Sequence, residues 1–138
     1  MSNSILTRMT GIADEAGPKL STQIAAHQAI GWSSIELRTI EGVSVTQLSD
    51  ADFDRAYGQM EDAGMRCAGF ASAIANWARP ITNPFEVDIE DLKRSIPRMR
   101  RMNTRLMRIM SYPRGEADEQ YWRAEAFRRM GELVRRAE

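Results

Sequence analysis

Three times along the chain an amphipathic stretch stops at a glycine or an asparagine, and a short apolar run follows at once. Leu20 to Ile30 stops at Gly31 and leads into Ser34-Ile-Glu-Leu-Arg38. Phe53 to Ala63 stops at Gly64 and leads into Arg66-Cys-Ala-Gly-Phe-Ala71. Ile89 to Met102 stops at Asn103 and leads into Arg105-Leu-Met-Arg-Ile-Met110. Glycine or asparagine just past a helix takes the left-handed conformation that ends it, so each unit predicts a helix running into a strand. The terminators at 31, 64 and 103 lie 33 and 39 residues apart. That spacing suits one βα unit, with parallel strands joined by helical crossovers.

The chain ends complete the pattern. Met9-Thr-Gly-Ile-Ala13 predicts a short opening strand and Glu119 to Arg136 a closing helix. Ser49-x-x-Asp52 and Asp88-x-x-Asp91 set capping side chains and negative charge at helix starts, where free amides and the dipole favour them. Pro97 predicts a kink in the third helix, or two shorter helical pieces. The layout is βαβαβαβα, an α/β fold in one domain over residues 1–138. A parallel sheet is ordinarily covered on both faces. Closure into an eight-stranded barrel removes the edges but takes about 250 residues. At 138 residues, ending where a fifth strand is due, the expectation is a half-barrel, four βα units of a (β/α)8 barrel.

Composition narrows the class. Hydrophobic residues make up 43% and charged residues 28%, too apolar for disorder and too charged for a membrane protein. No apolar run approaches the roughly 18 residues of a membrane span. The opening MSNSILTRMT has neither the apolar centre nor the cleavage site of a signal peptide, so a cytoplasmic location is expected. One cysteine allows no internal disulfide, and one histidine with one cysteine makes no zinc cluster. Net charge is zero but unevenly spread: residues 1–92 hold six Lys/Arg against thirteen Asp/Glu, and residues 93–138 thirteen against six. A basic half can mark a nucleic-acid surface. Here the basic residues fall on helical spacing, which favours helix faces turned to water or to the acidic half.

Four motifs occur in order: Gly11-Ile-Ala-Asp-Glu-Ala-Gly17, Ile35-Glu-Leu-Arg38, Ser72-Ala-Ile-Ala-Asn-Trp-Ala-Arg-Pro-Ile81 and Arg108-Ile-Met-Ser-Tyr-Pro113. Each follows or ends a successive strand. Together they resemble the amino-terminal half of the sugar phosphate isomerase/epimerase family, the xylose isomerase-like TIM barrels. Asn76 departs from it, standing where many relatives carry a glycine-lysine pair before Pro-Ile. The resemblance implies a divalent metal, Mn2+ or Mg2+, held by Glu, Asp, His and Glu of strands five to eight. Two of those carboxylates also move the proton beside the substrate carbonyl. None of those strands is in this chain, so no tight metal site is expected in it. Its residues would form the substrate-facing wall opposite the metal.

The strand ends supply the candidates. Glu36 and Arg38 share a parity, with Ile35 and Leu37 on the other face. A carboxylate and a guanidinium two residues apart are costly in a plain core but can orient one another and bind a polyol at a strand end. Glu36 is the catalytic candidate and Arg38 a substrate-binding one. Arg108, flanked by Met107 and Ile109, needs an anionic or carbonyl partner, either Glu36 across the sheet or a substrate. Ser111 and Tyr112 follow that strand and can offer hydroxyls; Asn76 and Trp77 follow the third, where Trp77 either stacks on a sugar or covers the barrel mouth. Of Asp14 and Glu15, adjacent and pointing opposite ways, at most one faces the pocket. His27 and Cys67 read as packing, and the methionines, among them Met99, Met102, Met107 and Met110, as filler between helix and sheet.

Three functions compete. The first is a metal-dependent sugar or sugar-acid isomerase/epimerase, present as a truncated half that is inactive alone. The second is a half-barrel binding module that dimerises through exposed sheet edges. The third is a nucleic-acid protein of the abasic-site endonuclease kind, which shares the barrel superfamily. Tyr121 and Trp122 sit inside a helix and form no stacking platform, which weighs against the third.

Overall fold

Gly31, Gly64 and Asn103 have φ of 77°, 61° and 51°, so all three terminators end their helices as the pattern predicts. A computed structural model describes residues 5–138. Residues 1–4, the start of the stretch read for a leader, lie outside the described residues. The helices are α1 (Leu20–Ala29), α2 (Asp50–Asp62), α3 (Glu86–Arg101) and α4 (Glu119–Ala137). The strands are β1 (Ser34–Leu37), β2 (Thr39–Ile40), β3 (Val43–Ser44), β4 (Arg66–Ala71) and β5 (Met107–Arg108). The fold is α/β: β1, β4 and β5 form a parallel sheet in that order, and β2 with β3 a small antiparallel pair. Two compact units share the chain: residues up to Ser72 with Arg98–Arg108, and Ala73–Pro97 with Ile109–Glu138.

In the first unit, Ile35 and Leu37 of β1 are wholly buried. Around them pack Leu20 and Ile24 of α1, Phe53, Ala56 and Met60 of α2, Phe70 of β4, and Met99 and Met102. The spacing 53, 56, 60 is one helix stripe, which is why α2 can lie on the sheet. Ser49 caps α2 by accepting from the Asp52 amide at 3.1 Å, as its motif predicts. Gly69 lets β4 and β5 meet, since a Cβ there would stand 2.9 Å from the Leu106 carbonyl oxygen. Arg98 is buried, donating to the carbonyls of Val45 (3.2 Å) and Leu48 (2.7 Å) and to Asp50 (2.9 Å). Its guanidinium lies 4.9 Å from the Phe53 ring centre, and Arg101 pairs with Asp54. Part of the basic segment thus turns to the acidic half.

Several expected elements come out differently. The opening strand Met9–Ala13 shrinks to one parallel bridge, Ile12 to Glu36, because Ala13–Ala16 winds into a 3-10 turn. The last strand shrinks from 105–110 to Met107–Arg108. α3 runs through Pro97 as one helix rather than two pieces. The hairpin of β2 and β3 was not in the pattern; its two-residue turn, Glu41-Gly42, takes positive φ at both positions, the geometry that closes tight hairpins.

The second unit is organised by buried polar groups as much as by Ile74, Ile81, Leu92 and Leu133. Asp88-x-x-Asp91 places Asp88 in the first turn of α3, as its motif predicts, but the side chains bond elsewhere than the helix amides. Both carboxylates are buried, and Arg79 bridges them, with Nη2 to Asp91 at 2.7 Å. The Tyr112 hydroxyl donates to Asp88 at 2.5 Å, and the Trp122 indole N–H donates to the Tyr112 carbonyl at 2.7 Å. Asp118 caps α4 through the amides of Gln120 and Tyr121.

Glu125 carries two arginines, Arg128 and Arg129, at 2.6 and 2.8 Å. Their hydrogen bonds, Arg128's first, outweigh burial and hold its carboxyl down at about 2. A depressed carboxyl stabilises the fold above its unfolded value, and that contribution disappears as pH falls through the folded one. Glu125→Gln is therefore expected to lower the melting temperature at pH 7. The difference from wild type should shrink between about pH 4.5 and about pH 2 in a calorimetric pH series.

Candidate functional site

Strand β1 presents alternate faces as its parity predicts: Ile35 and Leu37 are buried, Glu36 and Arg38 half-buried. A register irregularity against β4 falls between Ile35 and Glu36. Glu36 and Arg38 do not orient each other. Arg38 turns to the loop before α1, where Nη2 meets Asp14 and Glu15, each at 2.8 Å. The Thr39 hydroxyl adds a 2.5 Å hydrogen bond to Asp14. The 3-10 turn brings both acids onto one guanidinium, so the expectation that they diverge, which assumes extended backbone, does not hold. Burial works to raise the Asp14 pKa, but the bonds from Arg38 and Thr39 carry it below the usual carboxylate value. Arg38 is thereby satisfied within the chain.

Arg108 is the cation that faces Glu36. Its Nε stands 3.9 Å from Glu36 Oε1, too far for a hydrogen bond, with side chains 36% and 26% exposed. That Nε is shielded from solvent and has no hydrogen-bond partner among the described residues. The backbone beneath it is firmly held, since the Ser72 hydroxyl donates to the Arg108 carbonyl at 2.7 Å. An unmet guanidinium N–H in a half-buried setting is costly and rare, and an acceptor oxygen placed between Arg108 and Glu36 would answer it.

The other candidates belong to the second unit. Asn76 accepts from the Ala78 amide at 3.0 Å, a local turn contact. Trp77 is 80% exposed and covers nothing in its own unit. Ser111 is exposed. Tyr112 is buried and its hydroxyl belongs to Asp88, so it offers no hydroxyl at the surface. Burial first, and then Asp88, hold that phenol well above the ordinary tyrosine range. The sequence sets Tyr112 just after a strand, which reads as a site position; its partner is 24 residues away and leaves no local mark.

His27 and Cys67 are core groups, as their surroundings suggest. His27 Nδ1 lies 2.8 Å from the Gln23 carbonyl, which requires the proton on Nδ1, and its ring meets Trp32 edge-on. Burial, with a smaller push from the Glu36 charge, raises the Cys67 thiol to about 12. Its alkylation by iodoacetamide at pH 8 should be slower than in denaturant by about two orders of magnitude or more. Comparable rates in a mass-spectrometric time course would contradict that burial.

Among the described residues no group of three or more His, Cys, Asp or Glu side chains could hold a metal ion. Asp14 is taken by Arg38 and Thr39, Asp88 and Asp91 by Arg79, and Glu36 faces a guanidinium. A concavity of about 660 Å3 is lined by Thr10, Ser34, Arg66 and Cys67 at the amino ends of β1 and β4, away from Glu36 and Arg108. No described helix is long and apolar enough to cross a membrane. Compared with known proteins, the chain matches no family model, no curated protein and no solved structure.

Proposed function

We propose that this chain supplies the substrate-facing wall of a sugar or sugar-phosphate isomerase/epimerase, as four βα units of a (β/α)8 barrel. The observation that carries the reading is the facing pair Glu36 of β1 and Arg108 of β5, the two strands that flank β4, with the Arg108 Nε–H left without a partner. Ketose and aldose substrates carry adjacent hydroxyl and carbonyl oxygens. Arg108 donates to such oxygens, while the Glu36 carboxylate accepts from a hydroxyl or takes part in moving the proton beside the carbonyl. Arg38 acts behind this pair by fixing the Asp14–Glu15 turn, not as a direct substrate contact. The Mn2+ or Mg2+ implied by the resemblance belongs to later strands, and no residue of this chain is assigned to it.

Proton transfer next to a carbonyl leaves a direct signature. The chain, joined in one polypeptide to strands five to eight of a sugar-isomerase barrel, should exchange the substrate's carbon-bound hydrogen with D2O, followed by NMR. The chain alone should not, because the largest electrostatic contribution to enediolate formation is then missing. A folded fusion that binds sugar without exchange would remove the isomerase reading.

A second reading, a binding module that self-associates, is favoured by one observation. Among the described residues β5 pairs only with β4, leaving its other edge without a strand, and the adjoining Leu106 is 70% exposed. Light scattering after size exclusion should then show dimers. The nucleic-acid reading has no such support, since the Trp122 indole is tied to Tyr112.

A further inference from the structure

The space between Arg108 and Glu36 takes one oxygen atom, and the two side chains decide its chemistry. Arg108 Nε and Glu36 Oε1 stand 3.9 Å apart, and an oxygen about 2.8 Å from each closes that gap. The Nε–H has no acceptor among the described residues, so the incoming oxygen must accept a hydrogen bond. The Glu36 carboxylate only accepts, so the same oxygen must also donate one. A hydroxyl does both. The oxygens of a fully ionised phosphate ester or carboxylate only accept, and they would face Glu36 as like charges.

Neighbouring charges do not offset that carboxylate. The 3-10 turn of Asp14 and Glu15 packs against β1, and Ile12 just before it bridges to Glu36. Arg38, two residues beyond Glu36, is held by both acids of the turn. Glu36, Asp14 and Glu15 against Arg108 and Arg38 make three carboxylates to two guanidiniums, one negative charge in excess. Lys19, which precedes α1, lines a separate concavity with Glu41. The Glu36 charge is felt on β4 as well, where it adds to burial in keeping the Cys67 thiol protonated. A site for an anion gathers donors, whereas this one sets its unmet donor beside an acid. Resting on the reading of this pair as a substrate wall, we propose that the substrate meets it with an uncharged hydroxyl, which accepts from Arg108 and donates to Glu36. Glu36 is then the specificity-determining residue that turns phosphate and carboxylate groups away from the wall.

The Arg108 Nε–H gives its own signal in proton–nitrogen NMR spectra of the full chain, assigned by its loss in Arg108→Lys. It is titrated at constant ionic strength with a panel of free aldoses and ketoses and, separately, with sulfate, a tetrahedral dianion that has no hydroxyl to donate. At least one neutral sugar should shift the wild-type signal to saturation. Sulfate should bind at this signal about tenfold or more weakly in wild type than in Glu36→Gln, where the like charge is gone. The neutral sugar should bind Glu36→Gln more weakly than wild type, because a charge-assisted hydrogen bond becomes a neutral one. Sulfate binding as tightly to wild type as to Glu36→Gln would overturn the proposal and leave the substrate wall in place. No shift from any neutral sugar would overturn it too. If sulfate alone then moves the signal, the wall takes anions; if nothing moves it, the substrate-wall reading falls as well.

Discussion

Replacing Arg79 with alanine is expected to destabilise the protein by about 3–5 kcal/mol, the scale for breaking a buried ion pair by removing one partner. Asp88 and Asp91 have side chains only 2% and 4% exposed, and the Arg79 guanidinium bridges the two. Without it, Asp91 loses the Arg79 ion pair, while Asp88 keeps the bond from the Tyr112 hydroxyl. Two like charges would then remain buried side by side on α3. For a chain of this length the loss corresponds to roughly 10–25 °C in melting temperature. Arg79→Ala combined with Asp88→Asn and Asp91→Asn should recover part of the loss, because neutral amides cost less to bury than carboxylates. Calorimetry of the single and triple variants measures this. A loss below about 1 kcal/mol for Arg79→Ala would mean that water reaches the carboxylates and that the bridge is of the weak, surface kind.

In the fusion that completes a barrel, Glu36→Gln and Arg108→Ala should each lower kcat/KM by about tenfold or more, at 1.36 kcal/mol per decade. Glu36→Gln keeps the shape and removes only the charge and the proton-accepting oxygen. Its loss should therefore fall mainly in kcat, the mark of an interaction made in the transition state. Arg108→Ala removes the group proposed to hold substrate oxygens and should also raise KM. Neither change should cost much stability, since the two side chains are half-exposed and stand 3.9 Å apart. Arg38→Ala is the contrast: it strips Asp14 and Glu15 of their cation and should lower stability before it touches turnover.

What the sequence made legible was local. Helix ends at Gly31, Gly64 and Asn103, the cap at Ser49 and the strand at residues 66–71 follow from rules that act within one turn of chain. The α/β class and parallel order follow from their alternation. Pairings between distant residues were less legible. Glu36 and Arg108, 72 positions apart, stood as one of two possible pairings because Arg108, between Met107 and Ile109, needs an anionic or carbonyl partner. Arg38 was given the wrong partner because parity on one strand cannot reveal a 3-10 turn arriving from Asp14 and Glu15. Asp88-x-x-Asp91 has the form of a helix start, and only the fold places Arg79 and Tyr112 against it. Tyr112 shows the same limit: a hydroxyl after a strand looks like a site until its burial is known.

The most direct test is whether the chain itself receives a sugar at Arg108. Saturation-transfer NMR with a panel of free aldoses, ketoses and their phosphates should show transfer to at least one ligand from the wild-type chain. The signal should vanish in Arg108→Ala and weaken in Glu36→Gln, with both variants melting as wild type does. No transfer from the wild-type chain, or equal transfer from wild type and from a folded Arg108→Ala variant, would contradict a substrate wall at Glu36 and Arg108.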